Sequence, residues 1–388
     1  MHNSGELEVE VTAIGPVLLR PTIFRPGVCT SPAFHEAITG RGGSGLEPEA
    51  SCPFGDGVLI IAEVAQTHDG SLGQAHAFID AAADSGADAI KFQTHIAAAE
   101  STRDEPWRVP FSRQDASRYD YWQRMEFTAD QWAGLAEHAR ERDVLFVSSP
   151  FSAEAVRLLD DVGVDIFKVA SGEVGHVALL EDIIATGRPV IFSSGLSDFA
   201  ELDTAVKMAS KAGVPHAVLQ CTTAYPCPPE RVGLNQIQVL ADRFDCPVGL
   251  SDHSGTIFPG LASVALGAAI IEIHVTFSRA MFGPDVPASI TLEQMKKLVE
   301  GIRFLEVALA NPVDRVNVPG REELRGLFTR SVALRHDLPA GTVLSREDLT
   351  LKKPGSGIPP DDLDGLVGRR LRRATAADRL LTSSDLED

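Results

Sequence analysis

Cysteine is scarce, and the few present are not spaced for a structural role. Five (Cys29, Cys52, Cys221, Cys227 and Cys246) are scattered over 388 residues, an odd number with no CxxC pair. A disulfide scaffold and a zinc ribbon are therefore excluded, and a reduced compartment is expected. Cationic charge is scarce too: 35 Lys and Arg stand against 54 Asp and Glu, a formal net charge of −19. Broad binding to nucleic acid or to an anionic membrane needs a cationic surface, so neither is a main function. An anionic substrate would have to be held by a few lysines acting locally against an unfavourable global field. The longest apolar run, Ala262 to Ile273, is too short and interrupted to cross a bilayer. The first residues show no charged start followed by an apolar core and a small-residue cleavage site, and a cytoplasmic protein is expected.

Apolar residues are plentiful. At 44% hydrophobic and 23% charged, the chain can bury a large core. Its length fits two domains, or one large α/β barrel with an appendage. Residues 1–57 read as an irregular extension; the glycines of residues 40–45 follow no strand and precede no GK[ST], so they read as linker rather than phosphate loop. From Val58 onward, short β-branched or apolar runs alternate with Ala-rich helical stretches. Strands are expected at 58–64, 89–94, 144–149, 166–171, 189–194, 217–222, 247–251 and 270–276. Their near-continuous hydrophobicity suits parallel strands covered on both faces. Leu292, Met295, Leu298, Ile302, Leu305 and Leu309 recur at three- and four-residue steps and predict a closing helix. Eight β/α units in residues 58–310 predict an α/β (β/α)₈ TIM barrel; a doubly wound sheet is the alternative. A charged linker (311–326) and a small second domain (327–388), with strand-like pieces at 331–334 and 342–344, are expected to follow.

The strands turn polar at one end. Glu63 lies on the first, and Lys91, Gln93 and Thr94 on the second. Ser148 and Ser149, Lys168 to Glu173, Ser193 and Ser194, Thr222 to Tyr225, Ser251 to His253, and Glu272 with His274 close the later ones. In a barrel these ends meet at one mouth, where catalytic groups sit. A lysine near the end of a buried strand must face an anion, a carboxylate or water. Lys91 and Lys168, with Ser149, Ser171, Ser194 and Ser251, would surround a small multiply charged anion; the bland alternative pairs the lysines with Glu63, Glu173 or Glu272. His253 and His274, on the last two strands, could share a divalent ion, or one could pack in the core while the other orients a carboxylate. His68, His95 and His176 are expected to face solvent or substrate. Cys221 and Cys227 have no evident base beside them. Trp107, Tyr119, Tyr121 and Trp122 would cover the mouth or form the packing core of their own loop.

Several stretches together resemble one family. Ile61 to Ser71, Lys91-Phe92-Gln93-Thr94, Ser148-Ser149-Pro150-Phe151, Lys168 to Glu173, Ser193-Ser194-Gly195, Gln220 to Pro226, Gly249 to His253, Glu272-Ile273-His274 and Gly283-Pro284-Asp285 resemble the motifs of the sialic acid synthase (N-acetylneuraminate synthase) family. Lys352 to Gly357 is similar to its C-terminal antifreeze-like (SAF) domain. The resemblance implies condensation of phosphoenolpyruvate with an N-acetylmannosamine-type sugar, giving a nonulosonic acid and phosphate. It implies that Lys91, Lys168, Ser149, Ser171, Ser194 and Ser251 bind phosphoenolpyruvate, and that His253 and His274 hold a divalent metal (Mn²⁺ or Mg²⁺). Glu63, Gln93, Tyr225 and Asp285 would contact sugar or water, with Glu63 or Glu173 guiding the water. Thr223 and Lys353 stand at further substrate-binding positions, and a homodimer is implied in which the antifreeze-like domain covers the partner's barrel. Thr67, Asp69, Thr223, Ile273 and Lys353 depart from residues common in the family, which bears on the sugar rather than on the anion. Two rival functions are a Schiff-base keto-acid aldolase using Lys168 and a non-catalytic sugar-binding scaffold.

Overall fold

The computed structural model describes residues 57–315 and 318–387, so the expectations about residues 1–56 lie outside it. Eight strands run in sequence: β1 (Leu59–Ala65), β2 (Ala89–Thr94), β3 (Leu145–Pro150), β4 (Ile166–Val169), β5 (Val190–Ser193), β6 (His216–Cys221), β7 (Val248–Asp252) and β8 (Ile270–Thr276). Each pairs in parallel with the next, and β1 closes on β8. This is a (β/α)₈ barrel, with every strand within two residues of its expected bounds. The two-residue β9 (Ile290–Thr291) extends the sheet beside β8. It leads into the closing helix Leu292–Ala310, started by a reciprocal cap between Thr291 and Gln294 and burying Met295, Leu298 and Ile302.

Period-two alternation divides the strand residues between two cores. One face packs against the helices, as Ile60, Ile90 and Phe92 do. The other fills the barrel with Leu59, Ile61, Ala89, Val147, Ile166, Ile191, Ala217, Leu219 and Ile270. On β7 the inward position is Gly249, where a Cβ would stand 2.1 Å from the Ile270 carbonyl oxygen. A step of two along the same face then replaces hydrocarbon by polar groups. Ile61 gives way to Glu63, Ala89 to Lys91, Val147 to Ser149, Ile166 to Lys168, Ile191 to Ser193, Gly249 to Ser251, and Ile270 to Glu272.

The chain divides into two compact units after Asn311. The second holds an antiparallel pair, β10 (Ser331–Leu334) with β11 (Leu349–Lys352), around Val332, Leu334, Leu344, Leu349, Leu371, Leu381 and Leu386. The expected piece at 342–344 is not a strand: it follows the left-handed Gly341, and only Val343 forms an isolated bridge, to Arg370. Part of the expected linker is a helix, Arg321–Phe328, whose first turn carries Glu322 and Glu323, the sign a helix N-terminus favours. No helix among the described residues is long and apolar enough to cross a membrane.

Candidate active site

The polar layer inside the barrel is an ion cluster set by strand register. Glu63 lies opposite Lys91 across β1 and β2, and Ser251 opposite Glu272 across β7 and β8. Lys91 Nζ is 2.6 Å from Glu63 Oε2 and 3.7 Å from Glu272 Oε1. Ser251 Oγ donates to Glu272 Oε1 at 2.9 Å. Lys168 donates to the Ser193 hydroxyl and, at 3.1 Å, to the Val169 carbonyl. All four charged side chains are buried. Burial pulls the Lys91 ammonium down, but Glu272 and Glu63 outweigh it and hold it above its ordinary value. Lys168, with no carboxylate in contact, is depressed by burial. Burial alone would raise the Glu272 carboxyl; the two lysines and Ser251 reverse this and keep it ionised. Glu63 is raised, by burial first and by repulsion from Glu272, despite its contact with Lys91. The cluster thus holds two lysines and two carboxyls, and of the carboxyls Glu272 is the one held toward its ionised form and Glu63 the one pushed toward its protonated form.

Glu63 is further positioned by amides. Gln93 Nε2 donates to Glu63 Oε1 at 2.9 Å, and Gln93 Oε1 faces Gln66 Nε2 at 3.1 Å and His95 Nε2 at 3.3 Å. His95 is not solvated: it is stacked between Trp122 and Phe151, with ring centroids at 4.0 and 4.4 Å, and its Nδ1 meets Glu100 at 2.5 Å. His68 is wholly buried against Phe127. Only His176 is exposed, and it pairs with Glu173 at 3.2 Å. No contact joins Glu173 to the Glu63 cluster. β1 carries a register shift between Glu63 and Ala65, where Ala65 has φ 47°; such a bulge re-aims a strand end.

The serines fall into two sets. Ser149 and Ser251 are buried on strands. Ser171 and Ser194 lie just beyond theirs: Ser171 meets the Thr223 hydroxyl at 3.2 Å, and Ser194 accepts from the Cys221 N–H at 3.2 Å. Gly195 keeps this corner open, since a Cβ there would lie 2.6 Å from Thr223 Oγ1 and 3.0 Å from Cys221 Sγ. Burial lifts the Cys221 thiol to about 11, which disfavours the thiolate a nucleophile needs.

His253 and His274 come together, with ring centroids 5.1 Å apart. Tyr225 stacks on His253 at 4.1 Å, and Arg108 lies 4.4 Å over the Tyr225 ring while donating to Asp285 at 2.7 Å. Burial lowers His253 to about 3 and His274 to about 4, so both are neutral imidazoles. His253 Nδ1 is turned to the Thr222 carbonyl at 2.9 Å, which leaves its Nε2 lone pair available, and the buried His274 Nδ1 has no hydrogen-bond partner. This donor pair fits a divalent cation. Among the described residues no group of three or more His, Cys, Asp or Glu forms a cage, so other ligands would come from substrate and water. Lys353, in the second unit, is exposed and lies over the Phe328 ring at 5.6 Å. Ser193 was expected only as a polar strand end without a role, and Gln66, Glu100 and Arg108 were assigned none. Ser193 was legible from strand alternation; Arg108, in an irregular connection, gave no signal.

Comparison with known proteins decides the family. A model described as the NeuB family matches residues 78–314, and one described as the SAF domain matches residues 329–387. The chain belongs to the NeuB family. N,N'-diacetyllegionaminic acid synthase of Legionella pneumophila is 34% identical, over 89% of this chain and 98% of its own. Human N-acetylneuraminate-9-phosphate synthase is 32% identical, over 81% of this chain and 88% of its own. The solved N-acetylneuraminic acid synthetase of Leptospira borgpetersenii superposes with TM-score 0.61 at 32% identity, covering 70% of this chain and 91% of its own. NeuB-family membership and the SAF match agree with the barrel and the small second unit described above.

Proposed function

We propose that this chain joins phosphoenolpyruvate to the open-chain aldehyde of an N-acylated amino sugar, releasing phosphate and a nonulosonic acid. The observation that carries this reading is the buried layer in which Lys91 lies between Glu63 and Glu272 with Lys168 nearby. Two ammonium groups at the end of a dry barrel suit a small, multiply charged anion, and the family's characterised relatives are named as synthases of such acids. Lys91, Lys168 and the hydroxyls of Ser149, Ser171, Ser194 and Ser251 hold phosphoenolpyruvate in attack geometry. Its carbon 3 bonds to the aldehyde carbon as the carbonyl π bond breaks and the aldehyde oxygen takes up a proton to become a hydroxyl, and positive charge develops at carbon 2. Water adds there, with Glu63 taking its proton; its raised pKa suits that role better than the firmly ionised Glu272. Collapse of the adduct breaks the bond between carbon 2 and the bridging oxygen, and that oxygen leaves with phosphate beside the lysines. Gln93 and His95 orient Glu63. His253 and His274 would hold a divalent metal (Mn²⁺ or Mg²⁺), which polarises the aldehyde carbonyl when bound.

Phosphate release tests the reading with N-acetylmannosamine, its 6-phosphate and a diacetamido-dideoxy hexose as acceptors. Release is expected only with sugar present, with ¹⁸O from the bridging position recovered in phosphate. Folded, metal-supplied protein that releases none with any acceptor would refute it. One observation favours a second reading: the depressed ammonium of Lys168 is what a Schiff-base lysine needs. Borohydride with pyruvate would trap that adduct; the condensation predicts no trapping.

A further inference from the structure

The site has a part that the condensation does not by itself require. The connection from β2 to β3 contains an irregular stretch, residues 101–117, tied down at both ends. Glu105 accepts from Trp122 Nε1 at 2.9 Å and pairs with Arg118 at 3.2 Å; Asp115 is gripped by Arg124 at 2.8 Å. Between these anchors the stretch reaches the loop after β8 twice. Phe111 packs on Phe282, ring centroids 5.4 Å apart, and Arg108 Nη2 donates to Asp285 Oδ1 at 2.7 Å. The same guanidinium covers Tyr225, which covers His253. Arg108 therefore joins three separate connections of the barrel above the imidazole pair. Its side chain is 39% exposed, whereas that of Asp285 is only 10% exposed.

We propose that Arg108 is a specificity-determining residue, which pairs with Asp285 and clamps Tyr225 so that the acceptor end of the cup selects an uncharged acylamino sugar over its phosphorylated counterpart. The inference rests on the condensation reading and adds the acceptor class to it. The ion cluster within the barrel holds two lysines, one of which, Lys168, has no carboxylate in contact; the acceptor end holds the single cation Arg108, already bound to Asp285. A neutral polyhydroxy acceptor can use both members of that pair, donating hydroxyl protons to Asp285 and accepting from the free N–H groups of Arg108. A phosphate dianion would have to take Arg108 away from Asp285, leaving a nearly buried carboxylate unpaired beside its own charge. Arg108 also fixes the Tyr225 ring by its flat face, a contact that a lysine reproduces only in part.

Steady-state kinetics on full-length wild type, Arg108→Met and Arg108→Lys test this. The methionine keeps an apolar stem over Tyr225 but removes the charge; the lysine keeps the charge and loses the fork. The acceptor KM of Arg108→Met should rise about 10-fold or more with phosphoenolpyruvate KM within about twofold, and Arg108→Lys should recover part of the loss. The wild type should favour the neutral sugar over its 6-phosphate by about 100-fold or more in kcat/KM. In an Asp285→Asn background, Arg108→Met should add little further. An acceptor KM unchanged in Arg108→Met, or a wild type that prefers the 6-phosphate, overturns the proposal while leaving the condensation in place. A wild type inactive with every acceptor removes the condensation reading, and this inference with it.

Discussion

The floor of the cup and its rim are built from different kinds of chain. Glu63, Lys91, Lys168, Ser251 and Glu272 stand on strands, where their positions follow from register and period-two alternation. Arg108, Tyr225 and Asp285 stand on connections, held by an ion pair and stacked rings. On the floor both partners of each ion pair are buried and count directly in folding; on the rim the nearly buried Asp285 is paired with an Arg108 side chain that stays 39% exposed. Chemistry placed on the floor is harder to change without cost to the barrel than a residue such as Arg108 at the rim. Sugar preference is therefore expected to vary at the rim, within a fixed reaction.

The sharpest break of this contrast is Lys91→Met. It leaves Glu63 and Glu272 buried without the cation between them, and we expect a loss of about 3–5 kcal/mol in urea unfolding together with undetectable turnover. A loss no larger than that of a surface substitution would mean that the floor is not an interdependent ion cluster. Glu63→Gln separates chemistry from stability. The amide takes from Lys91 its 2.6 Å charge partner but leaves Glu272 facing it, so it should cost less stability than Lys91→Met, while kcat falls by about 10² to 10⁴. Retained kcat would move the proton-accepting role elsewhere.

A smaller effect is expected where floor meets rim. Glu100 holds His95 by its Nδ1, His95 faces Gln93, and Gln93 holds Glu63. Glu100→Gln should loosen that chain and lower kcat by about 10-fold with both KM values nearly constant. A change confined to acceptor KM would place His95 with the rim instead.

The same division explains what the sequence disclosed. The eight strands were readable because a fully covered parallel strand is almost continuously apolar, and the polar residue that interrupts it, such as Lys91 or Lys168, stands out. Ser193 was equally available: it follows Ile191 at the step that leads from Ile166 to Lys168. Arg108 was not, because nothing in an irregular stretch says which loop it will meet, and Asp285 lies 177 residues away. The burial of His68 and His95 was hidden for a related reason. Each is enclosed by aromatic rings, Phe127 for one and Trp122 with Phe151 for the other, whose approach depends on tertiary packing. Even in the second unit, local pattern gave β10, while its partner β11 depended on a pairing across the intervening turn.

The mildest test asks whether the rim opens independently of the floor. Burial would raise the Asp115 carboxyl, but hydrogen bonds from Arg124 and Ser112 outweigh it and hold it below the ordinary 3.8. Its contribution to anchoring residues 101–117 is therefore complete above that ordinary value and is lost as pH falls through the lower folded one. Pepsin should begin to cut near Trp107 and Phe111 as acidification crosses that window, with the barrel strands still resistant. Arg124→Gln, which also gives up the 2.8 Å contact to Asp69, should expose the same bonds to thermolysin at neutral pH. If strands and loop became susceptible together under both treatments, the rim would share the floor's cooperativity, and substitutions at Arg108 would be felt throughout the barrel.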